Sequence, residues 1–169
     1  NAWLSRISAN IFQYVEDDYF LKKVVKRCDF LAVNYYQSMR VYGYRIHNPE
    51  FPLSDVNWAM APGDIELVLE RLHEKYKLPI MITENGVADA EDTHRQWWIK
   101  ETIIGMQAAM KRGVKLLGYI HWSLTDNFEW SYGHWPRFGL VAIDYKTGKR
   151  TPRKSALWFG NVIKQLRGI

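Results

Sequence analysis

At 169 residues the chain is long enough for one domain with a real core but short for a whole (β/α)8 barrel, which runs roughly 200 to over 400 residues. A hydrophobic share of 47% lies in the globular range and excludes a disordered chain. The net charge of +5 draws on Lys146, Lys149, Arg150, Arg153 and Lys154; with no nucleic-acid motif anywhere, these read as a solvated hairpin and helix start, and no nucleic-acid partner is expected.

The chain opens at Asn1 inside a helical pattern: Leu4, Ile7, Ile11 and Tyr14 recur at helical spacing, as do Phe20, Leu21, Val24 and Val25. Cys28 is the only cysteine, so no internal disulfide can form, and its place before an apolar run suggests a buried, inert thiol. Phe30 to Tyr35 is a short β-rich run that predicts a buried strand. Met39 to Ile46 alternates and predicts a hairpin, followed by a polar, proline-containing loop over Asn48 to Pro52. Pro62 begins a helix with Asp64 and Glu66 in its first turn and Ile65, Val68, Leu69 and Leu72 as its apolar stripe. Pro79 is expected to stop that helix, and Ile80 to Thr83 is a second strand. Thr93 to Lys111 is helical again, capped by Gly113, with Trp97 and Trp98 as core or interface and Met106 and Met110 on the stripe. Leu116 to Trp122 is a third strand. A long aromatic loop, a hairpin turning at Lys146-Thr147-Gly148 and a helix from about Ser155 to Leu166 complete the pattern.

Strands alternating with helices imply a parallel sheet with right-handed crossovers. Three strands cannot close a barrel, so the expected fold is an α/β wedge of one, with a small open α/β interaction domain as the alternative. With no opening Met, the chain is expected to be one portion of a longer protein, residues 1–169 forming part of a single domain. No stretch approaches about 18 apolar residues and no signal peptide opens the chain, so no membrane partner and a cytoplasmic location are expected.

In a parallel α/β sheet, ligands bind at the carboxyl ends of the strands. Here those ends read Asn34-Tyr35-Tyr36, Thr83-Glu84-Asn85-Gly86 and His121-Trp122-Ser123. Glu84 is the sharpest candidate: a carboxylate at such a position serves as nucleophile, base or metal ligand, or as a structural ion pair. The five histidines are scattered without ligand spacing, so neither metal nor cofactor is expected. The loop from Leu124 to Phe138 carries Asp126, Asn127, Glu129, Trp130, Trp135 and Arg137. Carboxylates interleaved with tryptophan suit a sugar, gripping hydroxyls while rings stack on C–H faces; a packed lid is the alternative. The 8 Trp, 10 Tyr and 7 Phe, 15% of the chain, point the same way.

Ile82-Thr83-Glu84-Asn85-Gly86 resembles the nucleophile motif of glycoside hydrolase family 1, the β-glucosidase and β-galactosidase family. Residues 29–36 (DFLAVNYY) look like that family's sixth barrel strand, and residues 118–130 (GYIHWSLTDNFEW) like its eighth strand and following loop. Arg137-Phe138-Gly139-Leu140, Asp144-Tyr145 and Arg153-Lys154-Ser155-Ala156 match its C-terminal end, in order and interval. The resemblance implies strands 6 to 8 of a (β/α)8 barrel and a retaining β-glycosidase acting on a β-glucoside, β-galactoside or oligosaccharide. Glu84 would be the nucleophile, Tyr36 its hydrogen-bond support, and Asn34 its neighbour. Glu129 and Trp130 would hold the outer hydroxyls, Trp122 would be the platform beneath the ring, Phe138 would line the pocket, and Trp58 would stand on the leaving-group side. A cis peptide after Trp122 is also implied.

The family's Asn-Glu-Pro acid/base motif is missing, Glu50 before Phe51-Pro52 being no substitute, and so are the sugar clamp and the Arg of earlier strands. An N-terminal part of the same barrel is therefore the expected partner. Asn57-Trp58-Ala59-Met60 lacks the family's usual glycine and acidic residue, His134-Trp135-Pro136 is unusual, and the Val87 to Asp92 loop is short. The alternative function is a non-catalytic sugar-binding fragment or pseudoenzyme. Exposed aromatics such as Trp97 leave a homo-oligomer open.

Overall fold

The computed structural model describes residues 2–47 and 50–168. Residues 48 and 49 of the expected polar loop lie outside the described residues. The opening pattern folds as α1 (Ala2–Gln13), a π turn over Tyr14–Asp18, α2 (Tyr19–Val24) and a 3-10 turn over Val25–Arg27. None of α1's residues is buried; its apolar side chains, Trp3 and Ile11 among them, face outward instead of forming core. The π turn brings two carboxylates onto the next helix: Arg71 donates to Asp17 at 2.6 Å, and Asp18 accepts from Tyr76 at 2.8 Å and from Lys75. Burial pushes the Asp18 carboxyl up, but the hydrogen bonds from Lys75 and Tyr76 and the charges of Lys75 and Arg71 hold it below its ordinary value.

Three parallel strands follow: β1 (Leu31–Tyr35), then, beyond a short hairpin of β2 (Val41–Tyr42) and β3 (Arg45–Ile46), β4 (Ile80–Asn85) and β5 (Leu116–His121). Their order is β1-β4-β5, as parallel crossovers require. α3 (Ile65–Tyr76) and α4 (Arg95–Lys111) cross between them, and β6 (Val141–Ile143), β7 (Arg150–Pro152) and α5 (Lys154–Arg167) close the described chain. α3 ends sooner than Pro79 alone suggests. Lys77 adopts a left-handed backbone (φ 57°) and donates its N–H to His73, closing the helix two residues before the proline.

Leu31, Val33 and Tyr35 of β1 and Ile80 and Ile82 of β4 pack against Ile65, Leu69 and Leu72 of α3 and Trp98, Ile99 and Met106 of α4. The buried stripe of α4 continues through Ala109, so Met110 falls outside it and is exposed, contrary to the sequence reading. Trp98 is fully buried while Trp97 is exposed, and Cys28 is half-buried, its thiol donating to Val24 O at 3.4 Å. On the opposite face of the sheet, Ala32, Asn34 and Ile120 are exposed. A parallel sheet normally has both faces covered; among the described residues, helices cover this one on one side only. Among the described residues no helix is long and apolar enough to cross a membrane.

Candidate active site

β4 is two residues longer than its apolar run, because a shift in pairing after Val33 lets Asn34 stand opposite Glu84 and Tyr35 opposite Asn85. Glu84 is therefore the penultimate strand residue, half-buried at the carboxyl end of the sheet. Tyr36, just past β1, donates its hydroxyl to Glu84 Oε2 at 2.7 Å. Burial, then the hydrogen bond to Glu84 and its charge, push the Tyr36 hydroxyl far above its ordinary value, so it stays a donor.

The Tyr36 ring meets Trp58 at 5.6 Å and Phe138 at 6.0 Å, edge-on in both cases, and Trp58 and Phe138 stand 6.2 Å apart. Trp122 packs on the same cluster, which also holds Val56 and Ala88. The Trp122–Ser123 peptide is cis. Trp122 Nε1 donates to Glu129 Oε1 at 3.1 Å, joining the loop after β5 to the Trp122 ring. Asn34 lies on the open face, accepting from Thr83 Oγ1 at 2.7 Å. Trp130, beside Glu129 in a tight turn closed by Glu129 N to Gly133 O at 2.8 Å, is 82% exposed and touches none of that cluster. Six of the eight expected site residues thus form one constellation. Asn34 borders it and Trp130 projects from its rim.

Several polar groups that sequence placed on the rim belong to the frame instead. Tyr35 is buried and donates to Ala61 O at 2.5 Å. Ser123 is buried, its hydroxyl donating to Thr125 O at 2.7 Å. His121 turns toward α5, its ring 6.2 Å from Phe159; burial first, and the charge of Arg95 second, push it down to about 3, so it is neutral. Asp126, grouped by sequence with the sugar-gripping carboxylates, is only 3% exposed. It accepts from both Arg153 terminal nitrogens at 3.0 and 3.1 Å, from Gly139 N at 3.0 Å, Ile143 N at 3.2 Å and Arg137 at 3.4 Å. Arg153 is accordingly a largely shielded partner, its side chain 9% exposed, rather than a solvated charge. Gly139 fits because a Cβ there would lie 2.2 Å from Asp126 N.

Two residues that sequence reasoning did not single out complete the frame. Asp89 accepts the N–H groups of Thr93, His94 and Arg95 at 3.1, 2.8 and 2.8 Å, satisfying the start of α4; an Asp a few residues before an apolar periodic run is the signal that could have found it. Arg95, fully buried, donates to Asp89 O at 2.6 Å, to Arg137 O at 2.8 Å and to Asp92. Asp92 in turn accepts from Ser155 N at 2.9 Å and Ser155 Oγ at 2.5 Å, seating α5. Among the described residues no three His, Cys, Asp or Glu side chains are arranged to hold a metal. A cavity of about 580 Å³ lies between α1, β1 and α3 and reaches Asn34 but not Glu84. The strand ends, where the hydrogen-bonded carboxylate and the rings converge, are the candidate site; the cavity belongs to the flank.

The glycosyl hydrolase family 1 model matches residues 8–167. The chain is 36% identical over 162 residues to the chloroplastic galactolipid galactosyltransferase SFR2 of Arabidopsis thaliana, covering 93% of this chain and 25% of that one. It is 32% identical over 171 residues to beta-glucosidase A of Thermotoga maritima, covering 90% of this chain and 38% of that one. A solved hyperthermophilic beta-glucosidase superposes with a TM-score of 0.82 at 36% identity, covering 89% of this chain and 37% of that one. The chain thus spans between about a quarter and two fifths of the relatives it matches. It belongs to glycosyl hydrolase family 1, and its β1, β4 and β5 with their helices are a C-terminal portion of that family's (β/α)8 barrel.

Proposed function

We propose that the full-length protein is a retaining β-glycosidase releasing terminal β-linked glucose- or galactose-type sugars, with Glu84 as nucleophile. The observation that carries this is the 2.7 Å hydrogen bond from Tyr36 to Glu84 Oε2 at the strand end, beside the Trp122–Glu129 pair. A Glu84 oxygen bonds to the anomeric carbon as the glycosidic C–O bond breaks, and the leaving oxygen takes a proton from an acid. Water then attacks the same carbon, gives its proton back to that group, and Glu84 departs as carboxylate. Trp122 is the platform under the ring. Glu129, holding Trp122 with Oε1, offers its other oxygen to the outer hydroxyls, with Trp130 beside it; Phe138 and Trp58 line the pocket, Trp58 toward the leaving group, and Asn34 flanks the nucleophile.

The acid/base comes from the N-terminal part of the same barrel, about 5–5.5 Å from the nucleophile as retention requires. General acid assistance contributes about 10²–10⁴-fold, so residues 1–169 alone are expected to be nearly inert. The test is a 2-deoxy-2-fluoro glucoside, which traps the covalent intermediate, followed by peptide mass mapping. Label on the peptide containing Glu84 supports the reading. An unlabelled protein that still binds glucosides would overturn it in favour of a non-catalytic sugar-binding protein.

A second reading rests on the 36% identity to a galactosyltransferase. The same covalent intermediate is then resolved by a sugar hydroxyl rather than water. Product analysis with a galactoside acceptor separates the two: free sugar alone means hydrolysis, and a lengthened acceptor means transfer.

A further inference from the structure

We propose that Asn85 is a positioning residue that fixes the nucleophile Glu84 and the sugar platform Trp122 as one unit; this rests on the reading of Glu84 as nucleophile. Asn85 is fully buried, directly after Glu84 in β4. Its Oδ1 accepts from Trp98 Nε1 at 3.0 Å, Tyr119 Oη at 3.0 Å and Thr102 Oγ1 at 3.3 Å, and its Nδ2 donates to Tyr35 O at 2.7 Å. The amide orientation follows from chemistry: an indole N–H only donates and a carbonyl only accepts, so the reverse placement would break both bonds. One side chain thereby ties β4 to β1, α4 and β5.

The chain of donors extends one step further. Tyr119 has a single hydroxyl proton, and it goes to Asn85 Oδ1. The 3.1 Å contact between Tyr119 Oη and His121 Nδ1 is then a hydrogen bond donated by the imidazole, which sets the Nδ1–H tautomer. The sequence of hydrogen bonds from His121 to Tyr119 to Asn85 to Tyr35 O runs in one direction, so each bond polarises the next.

The backbone completes the lock. Asn85 O accepts from Trp122 N at 2.9 Å, and Asn85 pairs with Tyr35 on one side and His121 on the other. A Cβ on Gly86 would lie 1.7 Å from Trp122 O, so the strand end and the platform meet with no room between them. Glu84 and Trp122 are thus held by one fully buried residue. Misplacement of a reacting group by about 1 Å costs on the order of 10²-fold in rate, which is the effect such a lock prevents.

The experiment uses the full-length protein and the same 2-deoxy-2-fluoro glucoside. Asn85→Ala is expected to lower the inactivation rate constant by roughly 10²-fold, with the inactivator's binding constant changed little and the label still on Glu84. Asn85→Asp keeps the acceptor but opposes Tyr35 O with a carboxylate; its rate relative to wild type is expected to rise as pH falls, because the protonated acid can donate there. A purely structural role would lower the amount of folded protein without that pH-dependent recovery. Should Asn85→Ala not fold, Tyr119→Phe and Thr102→Val each remove one donor, and slower labelling in both supports the same positioning role. Wild-type labelling rates in folded Asn85 variants, or in both donor variants, overturn the inference and leave Glu84 standing. Wild-type label on another residue removes Glu84 as nucleophile and takes this inference with it.

Discussion

Glu84 at the end of β4 and Asp126 in the loop after β5 are both carboxylates that the sequence places near aromatic residues, yet their surroundings differ. Asp126 accepts five hydrogen bonds, two of them from one guanidinium, and is almost wholly buried. Glu84 is half-buried and accepts one among the described residues, from Tyr36. A carboxylate whose lone pairs are all engaged by fixed cations and backbone N–H groups is a joint. One that keeps an oxygen uncommitted at a strand end retains an electron pair, as the nucleophile proposed above requires.

Substitution separates the two. In the full-length protein, Glu84→Gln should cut turnover by on the order of 10⁴-fold or more, with the melting temperature nearly unchanged. Asp126→Ala should do the reverse: loss of the buried partner of Arg153 costs about 3–5 kcal/mol, read from urea unfolding, while the folded fraction keeps much of its rate. If Asp126→Ala instead spared stability and abolished catalysis, the contrast between joint and nucleophile would collapse.

Smaller changes refine the picture. Tyr36→Phe removes a hydrogen bond to a charged group, worth about 1.5–3 kcal/mol, so kcat/KM is expected to fall by roughly 10- to 100-fold without loss of fold. An unchanged kcat/KM would mean that Tyr36 only packs against Trp58 and Phe138. The last prediction concerns His121 and is read in stability against pH. An unfolded histidine titrates near ~6.5, whereas burial and Arg95 push this one down to about 3 in the folded chain. Between those values the unfolded state binds the proton and the native state does not. Stability therefore falls as pH drops from about 6.5 toward 3, by up to ~1.4 kcal/mol per pH unit from this group. His121→Asn, whose side-chain N–H can stand in for Nδ1–H, should flatten that part of the stability curve. Identical slopes in both proteins would show that His121 is not a buried neutral ring.

The comparison also explains what could be read early. That Glu84, Tyr36, Trp122 and Glu129 come together was legible because motif and strand end coincide, and local alternation of strand and helix set their order along one rim. Asp126 was misread because its partners Arg137, Gly139, Ile143 and Arg153 lie 11 to 27 residues away, and nothing in a carboxylate's own neighbourhood tells whether distant guanidiniums will fold onto it. His121 and Ser123 were misplaced for a related reason. Alternation puts successive side chains on opposite faces, so only Trp122 of that strand end turns toward the site.

By itself the sequence determined the element order, the apolar faces of β1, β4, α3 and α4, the family and its site motif, since each depends on periodicity or on residues adjacent in the chain. Tertiary structure alone decided which polar groups are spent on the frame and which remain for chemistry. That division depends on burial and on pairing across strands, where Asn85 gathers partners from Tyr35, Trp98, Thr102 and Tyr119. Hydrogen bonds of that kind are satisfied in space, and a polar side chain's role is settled only when the donors that reach it are in place.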